Sequence, residues 1–224
     1  MSRLYLIVLF LVSGLGYALE VELALEVGQN YIFPVGEDLD NLLEETRSDY
    51  LDVGLTGVGY LPGFNLGLTC NLVFAGLLGL EAGVFLHHAE SGVRVESVSN
   101  NEELYLDIVR YWLIRIPLLI SLRQEFGLLR VQFLGGAAVD LLIDAEDYVK
   151  FSEADPEIFP HQFEAATFSL CIGASLGIYW EKDVFVDVII FYSHQFNSFD
   201  RSGVLLNDTR RHFLSVGLRP GFRF

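Results

Sequence analysis

From Phe168 to Trp180 every even-numbered residue is apolar, namely Phe168, Leu170, Ile172, Ala174, Leu176, Ile178 and Trp180, while Ser169, Cys171, Gly173, Ser175 and Gly177 fill the odd positions between. A period of two belongs to an extended strand, whose side chains point alternately to its two faces. A helix would scatter the same residues around its circumference. One face of this strand therefore suits hydrocarbon, and the other suits water or a tightly packed polar interior.

The period recurs along most of the chain. Val21, Leu23, Leu25 and Val27 alternate with Glu20, Glu22 and Glu26, and Val184, Val186, Val188, Ile190 and Tyr192 alternate with Asp187 and Ser193. Odd positions from Val131 to Ile143 are apolar, with Gln132 and Asp140 between them. Residues 64–74 and 78–86 continue the pattern, and Leu214, Val216, Leu218, Phe222 and Phe224 alternate with Ser215, Gly217, Arg219, Gly221 and Arg223. The most helix-like stretch, LDIVRYWLIRIPLLISL, carries Asp107, Arg110, Arg115 and Pro117. These are costly or disruptive in a lipid-facing helix. Read with period two, it places Leu106, Ile108, Trp112, Ile114, Ile116, Leu118 and Ile120 on one face and Asp107, Tyr111, Arg115 and Ser121 on the other.

Residues 1–18 have the form of a secretory signal peptide, with Arg3, an apolar core from Leu4 to Val12 and the small-residue site Gly16-Tyr17-Ala18. A retained N-terminal anchor is the alternative, but the apolar core falls short of the roughly 20 residues of a spanning helix. Residues 19–224 then form a single domain.

Short links are expected near 75–77, 124–127 and 181–183, and long polar ones near 32–49, 89–103, 144–165 and 197–209. This alternation predicts an all-β, antiparallel up-and-down transmembrane barrel of eight strands with both termini at the short-turn end. One segment breaks parity: apolar residues are odd from Leu51 to Leu61 and even from Phe64 onward, with Pro62-Gly63 between. A bulge within one long strand is the preferred explanation. A tight hairpin at Pro62-Gly63 is the other, and it gives an odd count unless residues 19–33 lie outside the barrel; ten strands is the alternative total.

Three stretches, YWLIRIPLLISLR, TFSLCIGASLGIYWEKDVFVDVIIFYSHQFNSF and HFLSVGLRPGFRF, resemble the small outer-membrane β-barrel family, the eight-stranded porin-like group that includes adhesion and resistance proteins. The likeness spans roughly residues 64–224. It implies a bacterial outer-membrane location, contact with outer-membrane lipid and variable external loops, and it brings no shared catalytic residues. It also implies that the closing aromatics Phe222 and Phe224 are read by the outer-membrane assembly machinery.

The less apolar face places Glu22, Glu26, Asp52, Glu81, Asp107, Asp140 and Asp187 inward, against Arg115, Arg123, Arg219 and Arg223. An eight-stranded barrel is just wide enough to be filled by its own side chains, so these charges are expected to pair across the lumen. Because acids outnumber bases in this set, a small porin with a narrow cation path is the competing reading. A soluble lipocalin-like barrel, which hides its large apolar face around a ligand, is a third.

The net charge of −16 is concentrated in the long connections. Residues 32–49 hold Glu37, Asp38, Asp40, Glu44, Glu45 and Asp49 with only Arg47, and residues 144–165 hold Asp144, Glu146, Asp147, Glu153, Asp155, Glu157 and Glu164 with only Lys150. Such loops repel nucleic acid. Carboxylates without an ordered ligand spacing are usually just solvated, so no metal or other cofactor is expected. Cys70 and Cys171 fall on opposite faces of their strands, which argues against a disulfide. His87 and His88, adjacent on one strand, point to opposite sides. Asn207-Asp208-Thr209 is a glycosylation tripeptide of low information. Some outer-membrane barrels deacylate lipid A with a Ser two residues after a His; here that position after His194 is Phe196, although Ser193 and Ser198 lie near. Enzymatic activity is therefore not expected.

Overall fold

The structure, a computed structural model, describes residues 19–35, 53–97, 103–151, 157–159, 164–197 and 210–224. Strands are β1 (Leu19–Val35), β2 (Val53–Phe74), β3 (Leu78–Ser97), β4 (Glu103–Phe126), β5 (Leu129–Phe151), β6 (Glu157–Phe159), β7 (Ala166–Glu181), β8 (Val184–Gln195) and β9 (Arg210–Arg223). Each long strand pairs antiparallel with its sequence neighbours, β4 pairs with β5, and β1 closes on β9. The three-residue β6 only extends the far end of β5, so the closed wall has eight strands rather than ten. Closure removes both sheet edges, which hydrocarbon would leave without hydrogen-bond partners.

The connections at one end are tight. Phe74 to Leu77 is a β-turn closed by the Leu77 amide on the Phe74 carbonyl at 3.2 Å, with φ of 52° at Ala75 and 68° at Gly76. Two positive φ angles match the right-handed twist of the flanking strands. The turn after β4 is shorter than the sequence suggests: β4 continues to Phe126, and Gly127 at φ 67° reverses the chain with Leu128. At the other end the wall reaches further than expected. β1 continues to Val35, β3 to Ser97 and β5 to Phe151, with Val53 opposite Ser97 and Tyr105 opposite Phe151, so part of each segment read as loop is strand. Their polar composition does not prevent this, because a neighbouring strand satisfies the backbone.

The parity break at Pro62-Gly63 is an irregularity within the single strand β2, where the pairing to β3 shifts between Leu61 and Phe64. A second shift lies between Gly54 and Gly57. Glycine at position 63 is needed for close approach, since a Cβ there would collide with the His88 carbonyl and the Asn30 side chain.

The two faces of the wall differ completely. Leu170, Ile172, Leu176 and Ile178 point outward and are exposed, Ile172 at 57%, whereas Ser169, Cys171 and Ser175 are buried, Cys171 at 0%. The same inversion holds for Leu118, Ile120 and Leu122 against Leu119, Ser121 and Arg123. A water-soluble lipocalin-like barrel buries its large apolar set, so this arrangement excludes that reading and leaves a barrel whose solvent is lipid.

Candidate functional site

Among the described residues, the lumen gathers chemically capable side chains from every long strand of the wall. Near the tight-turn end, β1 delivers Glu22, β4 Arg123 and β5 Arg130. The Glu22 carboxylate accepts from Arg123 Nη1 at 2.5 Å and from Arg130 Nη1 and Nη2 at 2.9 and 3.2 Å. Arg123 also pairs with Glu20, and Arg130 Nε lies 3.2 Å from Asp187. Gly177, directly across from Asp187, makes room for that carboxylate; any Cβ there would strike it. Arg130 further stacks over Phe185 at 4.0 Å. Arg223, expected in the lumen, sits at its rim, where it donates to Glu125 at 3.1 Å, to the Tyr179 hydroxyl at 3.2 Å and to the Lys182 carbonyl at 3.0 Å.

Midway up the barrel Arg219 donates to Glu26 through Nε at 3.1 Å and Nη2 at 2.9 Å, and to Glu81 through Nη1 at 3.0 Å. Asn65 caps the other Glu26 oxygen at 3.2 Å. Higher still, Arg115 and Asp140 form a two-point pair, and the Ser169 hydroxyl donates to Asp140 at 3.3 Å. His87 points inward beside Asn30, with its Nδ1 3.0 Å from the Asn30 amide nitrogen. His88 points outward between Phe64 and Trp112, as the adjacent positions require. Asp52 lies outside the described residues, and so does the side chain of Asp107, although its backbone belongs to β4.

Two inward arginines escaped the sequence reading. Arg130 shares the parity of Gln132 and Asp140, and Arg211 shares that of Arg219; following each register to the strand end would have found both. Their inclusion changes the balance. Among the described residues, Glu22, Glu26, Glu81, Asp140 and Asp187 are buried together with Arg115, Arg123, Arg130, Arg211 and Arg219. Acids and bases are therefore equal among the described residues of the packed lumen, a count that does not include Asp52 or Asp107. Unpaired charge in a low-dielectric interior is strongly unfavourable, which accounts for the parity.

The lumen is also less polar than expected. Ile32, Ala89, Val109, Tyr111, Leu113 and Phe213 cluster across its loop end, and Leu119, Leu134, Ala138, Ile189 and Phe191 form a second apolar layer. Glu26, Glu81, His87, Arg115 and Arg219 border a small cavity of about 20 Å³. That is room for one or two ordered waters rather than a column of them.

Around His194 the described residues do not assemble a nucleophile. Ser193 faces the lumen while His194 faces outward, and Asn197 is occupied in accepting the Phe168 amide at 2.9 Å. Ser198 lies outside the described residues. Cys171 is buried in the lumen and Cys70 lies on the outer face, and both are free thiols. Among the described residues no group of three or more His, Cys, Asp or Glu side chains could hold a metal ion.

The chain matches no protein-family model and no curated protein sequence. Among solved structures it is similar to Neisserial surface protein A, with a TM-score of 0.44 and 10% identity over 89% of this chain and 95% of that one. The outer-membrane protein OprG of Pseudomonas aeruginosa gives a TM-score of 0.43 and 13% identity over 91% of this chain and 95% of OprG. The attachment invasion locus protein Ail of Yersinia pestis, solved with the heparin analogue sucrose octasulfate, gives 0.41 and 14% over 92% and 99%. The likeness is one of general architecture, and the assignment rests on the wall itself: closed, antiparallel, apolar outside and charged within. The chain folds as a closed, eight-stranded antiparallel β-barrel whose outer face is apolar and suited to lipid.

Proposed function

We propose that this protein is a bacterial outer-membrane surface protein of the adhesion or interaction type, a sealed barrel that mounts acidic external connections for a partner with a basic face. The observation that carries the proposal is the packed lumen, in which, among the described residues, the buried carboxylates of Glu22, Glu26, Glu81, Asp140 and Asp187 are accompanied by buried guanidiniums and an apolar layer of Ile32, Val109, Tyr111, Leu113 and Phe213 crosses the loop end. A conducting barrel needs a continuous wet path, and the side chains here fill the interior.

The short turns face the periplasm and the long connections the exterior, as in other barrels of this kind. Residues 36–49 carry six carboxylates against Arg47 alone. Carboxylates on this scale attract cationic protein surfaces and repel polyanions. Phe222 and Phe224, exposed on the outer face at the periplasmic rim, are the residues we assign to recognition by the assembly machinery.

Single-channel recording on the refolded protein tests the sealed lumen. The expected record is silent. Steady, ion-selective conductance would turn the reading into a small porin.

A further inference from the structure

We propose that His194 and His212 form a two-imidazole chelating site for a divalent late transition-metal ion on the outer rim of the wall. The two residues are directly opposite one another on β8 and β9 and point to the outward face. His194 Nδ1 lies 2.9 Å from His212 Nε2, with the ring centroids 4.5 Å apart and the planes at 76°. The other nitrogen of His212, Nδ1, is 2.7 Å from the Tyr192 hydroxyl. Tyr192, His212 and His194 thus form one connected polar chain on the outer face.

Imidazole nitrogens bind zinc at roughly 2.0–2.1 Å. Two nitrogens this close can share one ion once both rings turn so that their lone pairs converge on it. With His212 donating its Nδ1 hydrogen to Tyr192, its Nε2 lone pair faces His194, and the hydrogen between the rings belongs to His194 Nδ1. On binding, that hydrogen moves to His194 Nε2, so both facing nitrogens become donors to the ion with no net release of protons. Tyr192 then fixes the tautomer and orientation of His212, the role an outer partner usually plays for a ligating histidine.

The site lies ten residues beyond the start of β8, about 25 Å along the barrel axis at the rise and tilt usual for such strands. That places it at the upper edge of the apolar band, within reach of external water. Water completes the coordination shell, because no third protein ligand stands beside the pair among the described residues. An open, neutral two-imidazole site favours copper over nickel and zinc. Arg210, exposed on the same face of β9, opposes any purely electrostatic capture of a cation, so the selectivity comes from nitrogen ligation. His87 and His88 offer nothing comparable, because they point to opposite faces of the wall, one toward Asn30 and the other toward Phe64 and Trp112.

The test is titration of the refolded full-length barrel with copper(II), followed by electron paramagnetic resonance. The expected result is one ion per barrel with hyperfine structure from two nitrogens. His194→Gln or His212→Gln should weaken binding at least roughly tenfold, and Tyr192→Phe should weaken it while keeping the two-nitrogen signature. Gel mobility checks that each variant folds, and the parent spectrum stands without them. Absence of bound copper in the parent, an oxygen-only spectrum from the loop carboxylates, or unchanged binding in the folded double variant would overturn the proposal.

Discussion

Arg115 on β4 and Asp140 on β5 stand directly opposite one another and close a two-point ion pair, Nε to Oδ1 at 2.6 Å and Nη2 to Oδ2 at 2.8 Å, with both side chains no more than 2% exposed. The Arg115 guanidinium also lies 4.2 Å over the Phe213 ring, which ties the ion pair to the apolar layer above it. Charge pairing and closure of the lumen are thus one structure.

Removing one partner leaves the other charge buried without its partner. Arg115→Leu should cost about 3–5 kcal/mol, read as earlier melting in detergent, and Arg115→Leu combined with Asp140→Leu should recover most of it. An unchanged melting temperature for the single variant would place Arg115 outside the packed lumen.

The turn at Ala75 offers a gain. Its φ of 52° lies in the left-handed region, where an ordinary residue is strained by roughly 1–2 kcal/mol. Asparagine is favoured at the first central position of such turns. Ala75→Asn should therefore stabilise the barrel by about 1 kcal/mol in urea-dependent unfolding. A loss of stability would contradict the turn geometry.

The cysteines report on the wall from both sides. Cys171 is fully buried in the lumen and Cys70 lies against detergent or lipid, so a water-soluble maleimide should modify neither while the barrel is folded and both after unfolding. Rapid modification of Cys171 in the folded protein would mean an open, wet interior.

Phe224 closes the seam, its amide donating to the Val21 carbonyl at 2.8 Å, and its ring is 74% exposed. Truncation at Arg223 removes little packing, so the purified protein should refold in detergent nearly as well as the parent. Its level in the outer membrane of cells should fall sharply. Normal assembly without Phe224 would show that this aromatic is an ordinary strand end.

The wall was legible because lipid forces a strict period of two: Phe168 to Trp180 and Leu214 to Phe224 could be assigned to their faces residue by residue. The lumen was legible only in part, for two physical reasons. Interior positions accept apolar side chains as readily as charged ones, so Leu113, Leu119, Phe185 and Phe213 carry no sign of facing inward except parity. Partner choice depends on shear between strands, which a sequence does not display. Nothing in the spacing says that Glu22 meets Arg130, or Glu26 Arg219, across the barrel. The outer strand ends were underestimated because polar residues beyond the membrane read as loop while their backbones still pair.

The most direct test of the central claim is a spin-label scan from Phe168 to Trp180 on the barrel in lipid. Labels at Leu170, Ile172, Leu176 and Ile178 should collide freely with oxygen and be shielded from a water-soluble nickel chelate, while labels at Ser169 and Ser175 should be immobile and shielded from both. Chelate access at the even positions, with apolar contact at the odd ones, would contradict a lipid-facing barrel with a packed polar interior.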